Sequence, residues 1–530
     1  MTMGSGGGSG KPTSGWVFLG LGLVALSMLL ASLGAVAVRT GYLHVTGLNT
    51  AGSSSPRVPV RPALAVSHSP KSGATQSTVL SASPASTALQ AQVTAALAGT
   101  RSCAVVTDGA TPVVDDQPSA RLASASTQKL LLAAAALSSL GPNYQFQTSV
   151  VSDTPPVGGT LSQAWLVGSG DPMLASPDYA AYLASRPRWK TAPITAMASL
   201  ADQLVARGIK AVPAGIHGDD TALSQQRYVP GWTLADQTEG DISPVSALTV
   251  DEGWRDWPAY HPVSDPAAAA TARLAGLLEA KGIVSGGVPV PGLTGGALPL
   301  PPPPPPPGRP PAKPAPPRPA TPAPTPIPTT TSPTPSPEVA ASDGQAPPGA
   351  TVLASVTSAP LSQIVAFMLR SSDNVTAEVL TRAVGLKVTG TGTTQAGTAA
   401  VIQVDQGLGI PTTGVDLVDG SGLAATNLVT CSALLGALDL ASRPGFEAIG
   451  QGLAVPGQSG TLARRFLGTP EQASLAAKTG SINGVAAMVG TLDVARPLHF
   501  ALVVDGSFSY AGGTAVEDKV VSALAAYRGP

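Results

Sequence analysis

A proline-rich stretch, from Pro299 to Pro337, limits the fold of this chain more than any other feature. It holds 21 prolines in 39 residues. Because proline lacks a backbone N–H and its ring clashes with helical backbone, the stretch can supply neither a helix nor a sheet ladder. The composition is typical of polyproline II or disordered chain, so we expect residues 299–350 to be a disordered tract that loops out of a folded unit as a linker. Binding of this tract to a proline-recognising module is the alternative.

Near the N-terminus, residues 16–38 form an unbroken run of 23 apolar or small residues. About 20 helical residues cross the core of a bilayer, so the run predicts a transmembrane anchor. A cleaved signal sequence is the alternative, because residues 35–37 (Ala-Val-Ala) form an acceptable cleavage site. With an anchor, residues 1–15 are a cytoplasmic tail and residues 39–88 a flexible stalk. In both cases the rest of the chain lies outside the cytoplasm, either anchored to the cell membrane or secreted.

Downstream of the stalk, Ser126 and Lys129 precede an apolar block that runs from Leu130 to Leu140. If this block is helical, the two side chains lie on one face about one turn apart. A serine hydroxyl needs a base to take its proton as it attacks, and a lysine whose charged form is disfavoured by burial can be that base. The plain alternative is a helix cap followed by a buried helix.

Two further motifs follow in the chain. Residues 372–374 read Ser-Asp-Asn and lie between two helical patterns, while residues 478–480 read Lys-Thr-Gly and precede a strand-like segment. Each short motif also occurs by chance, as Ser-x-Asn does again at residues 481–483. In this order, however, Ser-x-x-Lys, Ser-x-Asn and Lys-Thr-Gly are the signature of the penicillin-recognising serine enzymes.

Other segments extend the match. Residues 166–172 (Leu-Val-Gly-Ser-Gly-Asp-Pro), 218–220 (Gly-Asp-Asp), 244–248 (Pro-Val-Ser-Ala-Leu) and 419–423 (Asp-Gly-Ser-Gly-Leu) resemble landmarks of one group of these enzymes. That group is the penicillin-binding proteins of the D-alanyl-D-alanine carboxypeptidase/endopeptidase type, which carry a large insertion between the first and second motifs. The resemblance runs from about Val93 to the C-terminus and leaves out the N-terminal tail and the proline tract.

Periodicity alone predicts mixed α and β structure, with hairpins at residues 103–114 and 486–504. The resemblance implies more: an α+β fold with a transpeptidase/β-lactamase-like antiparallel sheet flanked by helices. It also implies a catalytic domain in two parts, residues 89–145 and 351–530, with an accessory domain inserted at residues 146–298.

The resemblance also assigns catalytic roles. Ser126 would attack the carbonyl between two D-alanine residues of the substrate, and Lys129 would take the proton of the serine hydroxyl. Ser372 would relay that proton to the leaving D-alanine. Water would then release the acyl group from the enzyme.

The same resemblance assigns the substrate-binding residues. Asn374 would hold the substrate amide, and Lys478 and Thr479 would bind the terminal carboxylate, for which a cation and a hydroxyl are suited. Gly480 would let its strand lie close to the substrate. The backbone N–H groups of the nucleophile and of Ser481 would form the oxyanion hole. Lys478 would also lower the pKa of the catalytic lysine through like-charge repulsion.

The function implied is that of a serine-type D-alanyl-D-alanine carboxypeptidase acting on peptidoglycan stem peptides, with β-lactams as inhibitors that trap the acyl-enzyme. One alternative is an endopeptidase that cuts peptide crosslinks with the same site, and another is a catalytically silent wall-binding scaffold. A β-lactamase is disfavoured, since no clear deacylating glutamate lies near the second motif. No cofactor or metal is expected, and the formal net charge of −1 gives no reason to expect nucleic-acid binding.

The two cysteines, Cys103 and Cys431, fall in the two halves of the expected catalytic domain. An exported chain can keep a disulfide, and the count is even, so we predict that they pair. Two buried free thiols are the alternative, because the sequence does not show whether the two residues are close together.

Overall fold

The computed structural model describes residues 83–286 and 345–529. The predicted membrane segment at residues 16–38, the stalk up to residue 82 and nearly all of the proline tract lie outside these residues. Among the described helices, none combines the length and the apolar character that crossing a bilayer requires. The membrane anchor therefore stays a prediction.

The described residues form short and long strands joined by helices. The strands are β1 Arg101–Asp108, β2 Thr111–Asp116, β3 Gln147–Ser152, β4 Ala164–Gly168, β5 Leu174–Ala175, β6 Thr195–Ala196, β7 Ala211–Val212, β8 Ile216–Asp219, β9 Val284–Ser285, β10 Thr351–Thr357, β11 Leu475–Ile482, β12 Val485–Leu492 and β13 Leu498–Asp505. The helices are α1 Pro84–Leu97, α2 Lys129–Ser139, α3 Pro177–Ala184, α4 Ala198–Ala206, α5 Leu234–Thr238, α6 Pro266–Glu279, α7 Leu361–Ser371, α8 Asn374–Thr389, α9 Thr394–Leu408, α10 Cys431–Asp439, α11 Glu447–Gln451 and α12 Tyr510–Ala526.

Five antiparallel strands form the main sheet, in the order β11-β12-β13-β1-β2. Both faces are covered, and successive residues of β13 alternate between two apolar cores: Ala501 and Val503 belong to one, Phe500 and Leu502 to the other. A strand imposes this period of two on its side chains. Helices α2, α7, α8 and α10 contribute to the first core, and α1 and α12 to the second. The expected α+β class, with an antiparallel sheet flanked by helices, is confirmed, as are both hairpins.

A second sheet has the order β10-β3-β4-β8, in which the β4–β8 pair is parallel. We refer to residues 146–286, which supply three of its strands, as the inserted region. The boundary predicted at residue 351 needs correction, because β10 pairs with β3 rather than with the main sheet. Leu353 and Val356 of β10 are buried in one core with Val150 and Leu166. The apolar pattern of β10 predicts a strand but does not show which sheet the strand joins.

A disulfide joins Cys103 in β1 to Cys431 at the start of α10. The two residues are 328 positions apart in sequence, and their Cα atoms lie 5.9 Å apart. Both side chains are buried. The predicted pairing is confirmed, and it ties the N-terminal part of the main sheet to a helix from the C-terminal half of the chain.

Candidate active site

Ser126 lies in a short 3-10 turn, Ala125–Gln128, that leads directly into α2. Helix α2 is built largely from Leu and Ala and is buried on nearly all sides, so it holds the turn firmly against the core. The turn leaves Ser126 half-buried, while Lys129, the first residue of α2, is fully buried. Lys129 Nζ lies 2.8 Å from Ser126 Oγ. The one-turn spacing read from the sequence therefore brings the two groups into contact.

The second motif forms the junction between α7 and α8. Ser372 caps the C-terminus of α7 with a φ of +62°, and Asp373 caps the N-terminus of α8 by accepting a backbone hydrogen bond. This tight junction directs the side chains on either side of Asp373 toward the two lysines. Lys129 Nζ donates to Asn374 Oδ1 at 2.7 Å, and Lys478 Nζ donates to Ser372 Oγ at 2.9 Å.

The third motif lies on β11, an edge strand of the main sheet that runs past the nucleophile turn. A Cβ at Gly480 would come within 2.5 Å of Ser124 O and 3.1 Å of Ser126 N, so a residue without a side chain is needed for this approach. Thr479 and Ser481 line the cleft on the same strand. The strand thus presents two hydroxyl groups beside the nucleophile.

Lys478, in contrast, lies behind the cleft wall. Its side chain is fully buried, and its Nζ donates to Ser372 Oγ at 2.9 Å and to Thr479 O at 2.6 Å. The direct contact between Lys478 and a substrate carboxylate stays a prediction, and the contacts that Lys478 makes here are with Ser372 and its own strand. The sequence carries no signal of this burial, because lysine is usually exposed and Lys478 lies on an edge strand.

The two buried lysines have lowered pKa values. Burial lowers the pKa of Lys129 to about 8, against the opposing effect of the Asp373, Asp419 and Glu378 carboxylates. Burial also lowers the pKa of Lys478 well below its usual value, and the positive charge of Lys129 adds to the effect. Repulsion between the two lysines is thus seen in the pKa of Lys478, whereas Arg188 is the cation that lowers the pKa of Lys129. The predicted effect of Lys478 on Lys129 stays a prediction. Burial is what leaves beside the nucleophile a lysine that can lose its proton near neutral pH.

A loop after the second motif holds Lys129 from the other side, since Ser421 O accepts a hydrogen bond from Lys129 Nζ at 2.6 Å. The loop is held in turn by the fully buried carboxylate of Glu378, which accepts from Gly420 N at 3.0 Å and from Ser421 N at 2.7 Å. Burial, with the charge of Asp419, raises the pKa of Glu378 to about 7. Residues 419–423 form a motif that the sequence shows, but Glu378 could not be predicted, because one glutamate within a helix forms no motif.

The inserted region also reaches the site, which sequence analysis did not predict. Arg188 Nε donates to Ser371 O at 3.1 Å, across 183 positions of sequence. Asn374 Nδ2 donates to Asp241 O at 2.9 Å, across 133 positions. No local sequence pattern predicts contacts between residues so far apart in the chain.

Beside these groups lies an open cleft of about 290 Å³. Within the described residues, no group of three or more His, Cys, Asp or Glu side chains is arranged to hold a metal ion. Of the catalytic and substrate-binding residues predicted from the sequence, Lys129 and Lys478 are absent from the cleft lining. The lining consists of Ser126, Arg188, Asp241, Ser372, Asn374, Thr461, Arg465, Thr479, Gly480, Ser481, Ala486, Tyr510, Thr514 and Glu517.

Comparison with known sequences gives consistent matches. A sequence model described as the D-Ala-D-Ala carboxypeptidase 3 (S13) family matches residues 85–283 and 338–527. The D-alanyl-D-alanine carboxypeptidase of Actinomadura sp. (strain R39) is 32% identical over 469 residues, which cover 82% of this chain and 83% of that protein. A carboxypeptidase of Mycobacterium tuberculosis is 30% identical over 401 residues, which cover 74% of this chain and 72% of that protein.

Comparison with solved structures points to the same fold. Penicillin binding protein 4 of Haemophilus influenzae gives a TM-score of 0.61 at 21% identity, over 82% of this chain and 99% of that chain. A structure of the same protein in complex with a β-lactam gives a TM-score of 0.54 at 19% identity, over 83% and 99% of the two chains. The matches span both sides of the proline tract, and the chain belongs to the D-Ala-D-Ala carboxypeptidase 3 (S13) family.

Proposed function

We propose that this protein is a serine-type D-alanyl-D-alanine carboxypeptidase that hydrolyses peptidoglycan stem peptides through an acyl-enzyme on Ser126. The observation that carries the proposal is the 2.8 Å contact between Ser126 Oγ and the buried Lys129 Nζ. Family membership supports the reaction class, since relatives over most of the chain are named carboxypeptidases.

In the first step, Ser126 attacks the carbonyl carbon between the two D-alanine residues while Lys129 takes the hydroxyl proton. With the pKa of Lys129 at about 8, roughly a tenth of this amine is uncharged at pH 7. The backbone N–H groups of Ser126 and Ser481 are suited to the oxyanion, because Gly480 lets β11 lie against the nucleophile turn.

In the second step, the C–N bond of the tetrahedral intermediate breaks and the acyl group stays on Ser126 as an ester. Ser372 gives its hydroxyl proton to the departing amine of D-alanine and receives in turn the proton that Lys129 took from Ser126, while Lys478 Nζ holds the Ser372 hydroxyl at 2.9 Å. Water then adds to the ester and gives a proton to Lys129. The ester C–O bond breaks, that proton returns to the Ser126 oxygen, and the shortened stem peptide is released.

Substrate binding in this proposal uses the residues at the cleft surface. Asn374 holds an amide of the stem peptide, and its own amide is already oriented by Lys129 and by Asp241 O. The hydroxyls of Thr479 and Ser481 bind the terminal carboxylate. Lys478 lies behind them, and its Nζ donates to Ser372 Oγ and to Thr479 O. A β-lactam resembles the dipeptide and is expected to acylate the same serine, and a β-lactam complex is known for the Haemophilus influenzae protein.

Export of the catalytic part is a further element of the proposal. Residues 16–38 would anchor it to the cell membrane, or would be cleaved to secrete it. Peptidoglycan lies outside the cytoplasm, and the disulfide between Cys103 and Cys431 suits an oxidising compartment. Fractionation of cells producing a tagged full chain tests this proposal, and recovery of the protein from the cytoplasm alone would contradict it.

A direct test uses the purified protein with a defined stem peptide ending in D-Ala-D-Ala and, in parallel, with a crosslinked dimer of that peptide. Mass spectrometry reads the products. Release of D-alanine from the stem peptide supports the carboxypeptidase. Cleavage of the dimer alone would favour the endopeptidase, and no product from either would favour the scaffold.

A further inference from the structure

The inserted region contacts the second motif from outside the main sheet. The Arg188 guanidinium donates to the carbonyl oxygen of Ser371, from Nε at 3.1 Å and also from an Nη. The carbonyl of Asp241 accepts from Asn374 Nδ2 at 2.9 Å. These contacts bracket Ser372, the residue whose hydroxyl meets Lys478.

Arg188 contacts the backbone at the C-terminal end of α7, where carbonyl groups lack partners within the helix. Ser371 is the last residue of α7, and the final carbonyls of a helix have no partner within the helix. The guanidinium supplies a partner and places positive charge at the helix C-terminus, which the helix dipole favours. Ser372 follows with a φ of +62°, a left-handed conformation that residues with a Cβ rarely adopt. Such a backbone persists where surrounding contacts hold it.

A third contact comes from Glu252, in a turn of the inserted region that itself has a φ of +52°. Its side chain hydrogen-bonds to Asp373, the central residue of the second motif. Burial, and then the charge of Asp373, raise the pKa of Glu252 well above its usual value. The inserted region thus contacts residues 371, 373 and 374, on both sides of the serine.

We propose that the inserted region is a clamp that positions the second motif, and that Arg188 is its principal positioning residue. By holding the Ser371 carbonyl, Arg188 keeps two hydrogen bonds in place: the one from Lys478 Nζ to Ser372 Oγ and the one from Lys129 Nζ to Asn374 Oδ1. The inference rests on the proposed function, because the position of these two side chains matters only if Ser126 is acylated.

The test measures acylation of the full chain by a fluorescent penicillin, with the saturating rate and the half-saturating concentration determined separately. Arg188→Ala should lower the saturating rate about 10- to 100-fold, as expected for losing charge-assisted hydrogen bonds, and leave the half-saturating concentration unchanged. Arg188→Lys keeps one charged donor and should recover part of the rate. The control is Arg186→Ala, since Arg186 lies over the Tyr182 ring and outside the cleft lining, and it should behave as wild type.

Three results would overturn the inference: a wild-type saturating rate in Arg188→Ala, a change confined to the half-saturating concentration, or a lost rate that Arg188→Lys does not recover. The second would mean that Arg188 binds the penicillin directly. Should Arg188→Ala not fold, Arg188→Gln, which keeps a neutral donor, takes its place with the same outcomes. A wild type that is not labelled at all contradicts the proposed function itself, whereas normal labelling of both proteins contradicts only the clamp.

Discussion

The proposed chemistry depends on Lys129, which is the base for Ser126. Its Nζ lies 2.8 Å from Ser126 Oγ, and it also donates to Asn374 Oδ1 and to the Ser421 carbonyl. Burial favours the neutral amine, while nearby carboxylates favour the charged one. The balance places its pKa at about 8, where a base for serine is effective near neutral pH.

The rate of acylation should therefore rise with pH through about 8, because only the uncharged Lys129 can accept the Ser126 proton. Among the carboxylates that raise this pKa is Glu378, whose own pKa of about 7 leaves it mostly charged in that range. Glu378→Gln keeps an acceptor for the loop but removes the charge. The rise in rate should move to lower pH in this variant, as measured by penicillin labelling across pH.

Asp405→Asn is the matched control for that experiment. Asp405 is also a buried carboxyl with a raised pKa, but it is not among the groups that act on Lys129. Its substitution should leave the pH profile in place. A profile unchanged in Glu378→Gln, or shifted equally in both variants, would contradict the electrostatic account of Lys129.

A second prediction concerns Lys478, and it tests whether this lysine acts through Ser372 or by direct contact with the substrate carboxylate. Lys478→Ala should reduce acylation, because Ser372 Oγ loses its donor at 2.9 Å. Amidating the terminal carboxylate of the substrate should slow the wild type and the variant by the same factor, because Lys478 is buried away from the cleft surface. A clearly larger effect of amidation on the wild type would restore the direct contact with carboxylate that the motif alone suggests.

At the scale of helices and strands, local geometry explains which features could be predicted from the sequence. Ser126 and Lys129 meet because they lie one helical turn apart, and the hairpin of β12 and β13 follows from two apolar runs around a short turn. Contacts between elements carry no such signal. The Ser421 carbonyl lies 292 positions from Lys129, and only the assembled fold brings the two together.

The link between β1 and α10 gives a prediction at this scale. The disulfide of Cys103 and Cys431 closes a loop across 328 positions, so replacing both cysteines with alanine should lower the free energy of unfolding by about 2–5 kcal/mol. Denaturant unfolding with and without reductant measures the effect. Reductant should destabilise the wild type and leave the double variant unchanged. Equal stability of oxidised and reduced wild type would contradict a structural role for the bond.

For the whole molecule, the sequence predicted an insertion and a linker but not how they join the catalytic part. Strand β10 follows the proline tract yet returns to the sheet of the inserted region, where Ala346 N also donates to Asp219 Oδ2 at 2.8 Å. Which sheet β10 joins depends on which apolar core can bury its side chains. Arg188, likewise, contacts the second motif only because the inserted region is folded. Neither is encoded in a local pattern.

The return of β10 leads to a prediction for the proline tract. Because the chain before and after it is held in one folded unit, the tract needs only to span the gap. Replacing residues 299–337 with a short Gly/Ser linker should leave hydrolysis and the melting temperature nearly unchanged. A large loss of either would mean that the tract packs on the folded unit.

The central claim is that Ser126 forms the acyl-enzyme. The most direct measurement is peptide mass spectrometry of the protein after incubation with a penicillin. The wild type should carry the penicilloyl adduct on the peptide that contains Ser126, and Ser126→Ala should carry none. An adduct on another residue, or one that survives in Ser126→Ala, would contradict the assignment and the mechanism built on the 2.8 Å contact with Lys129.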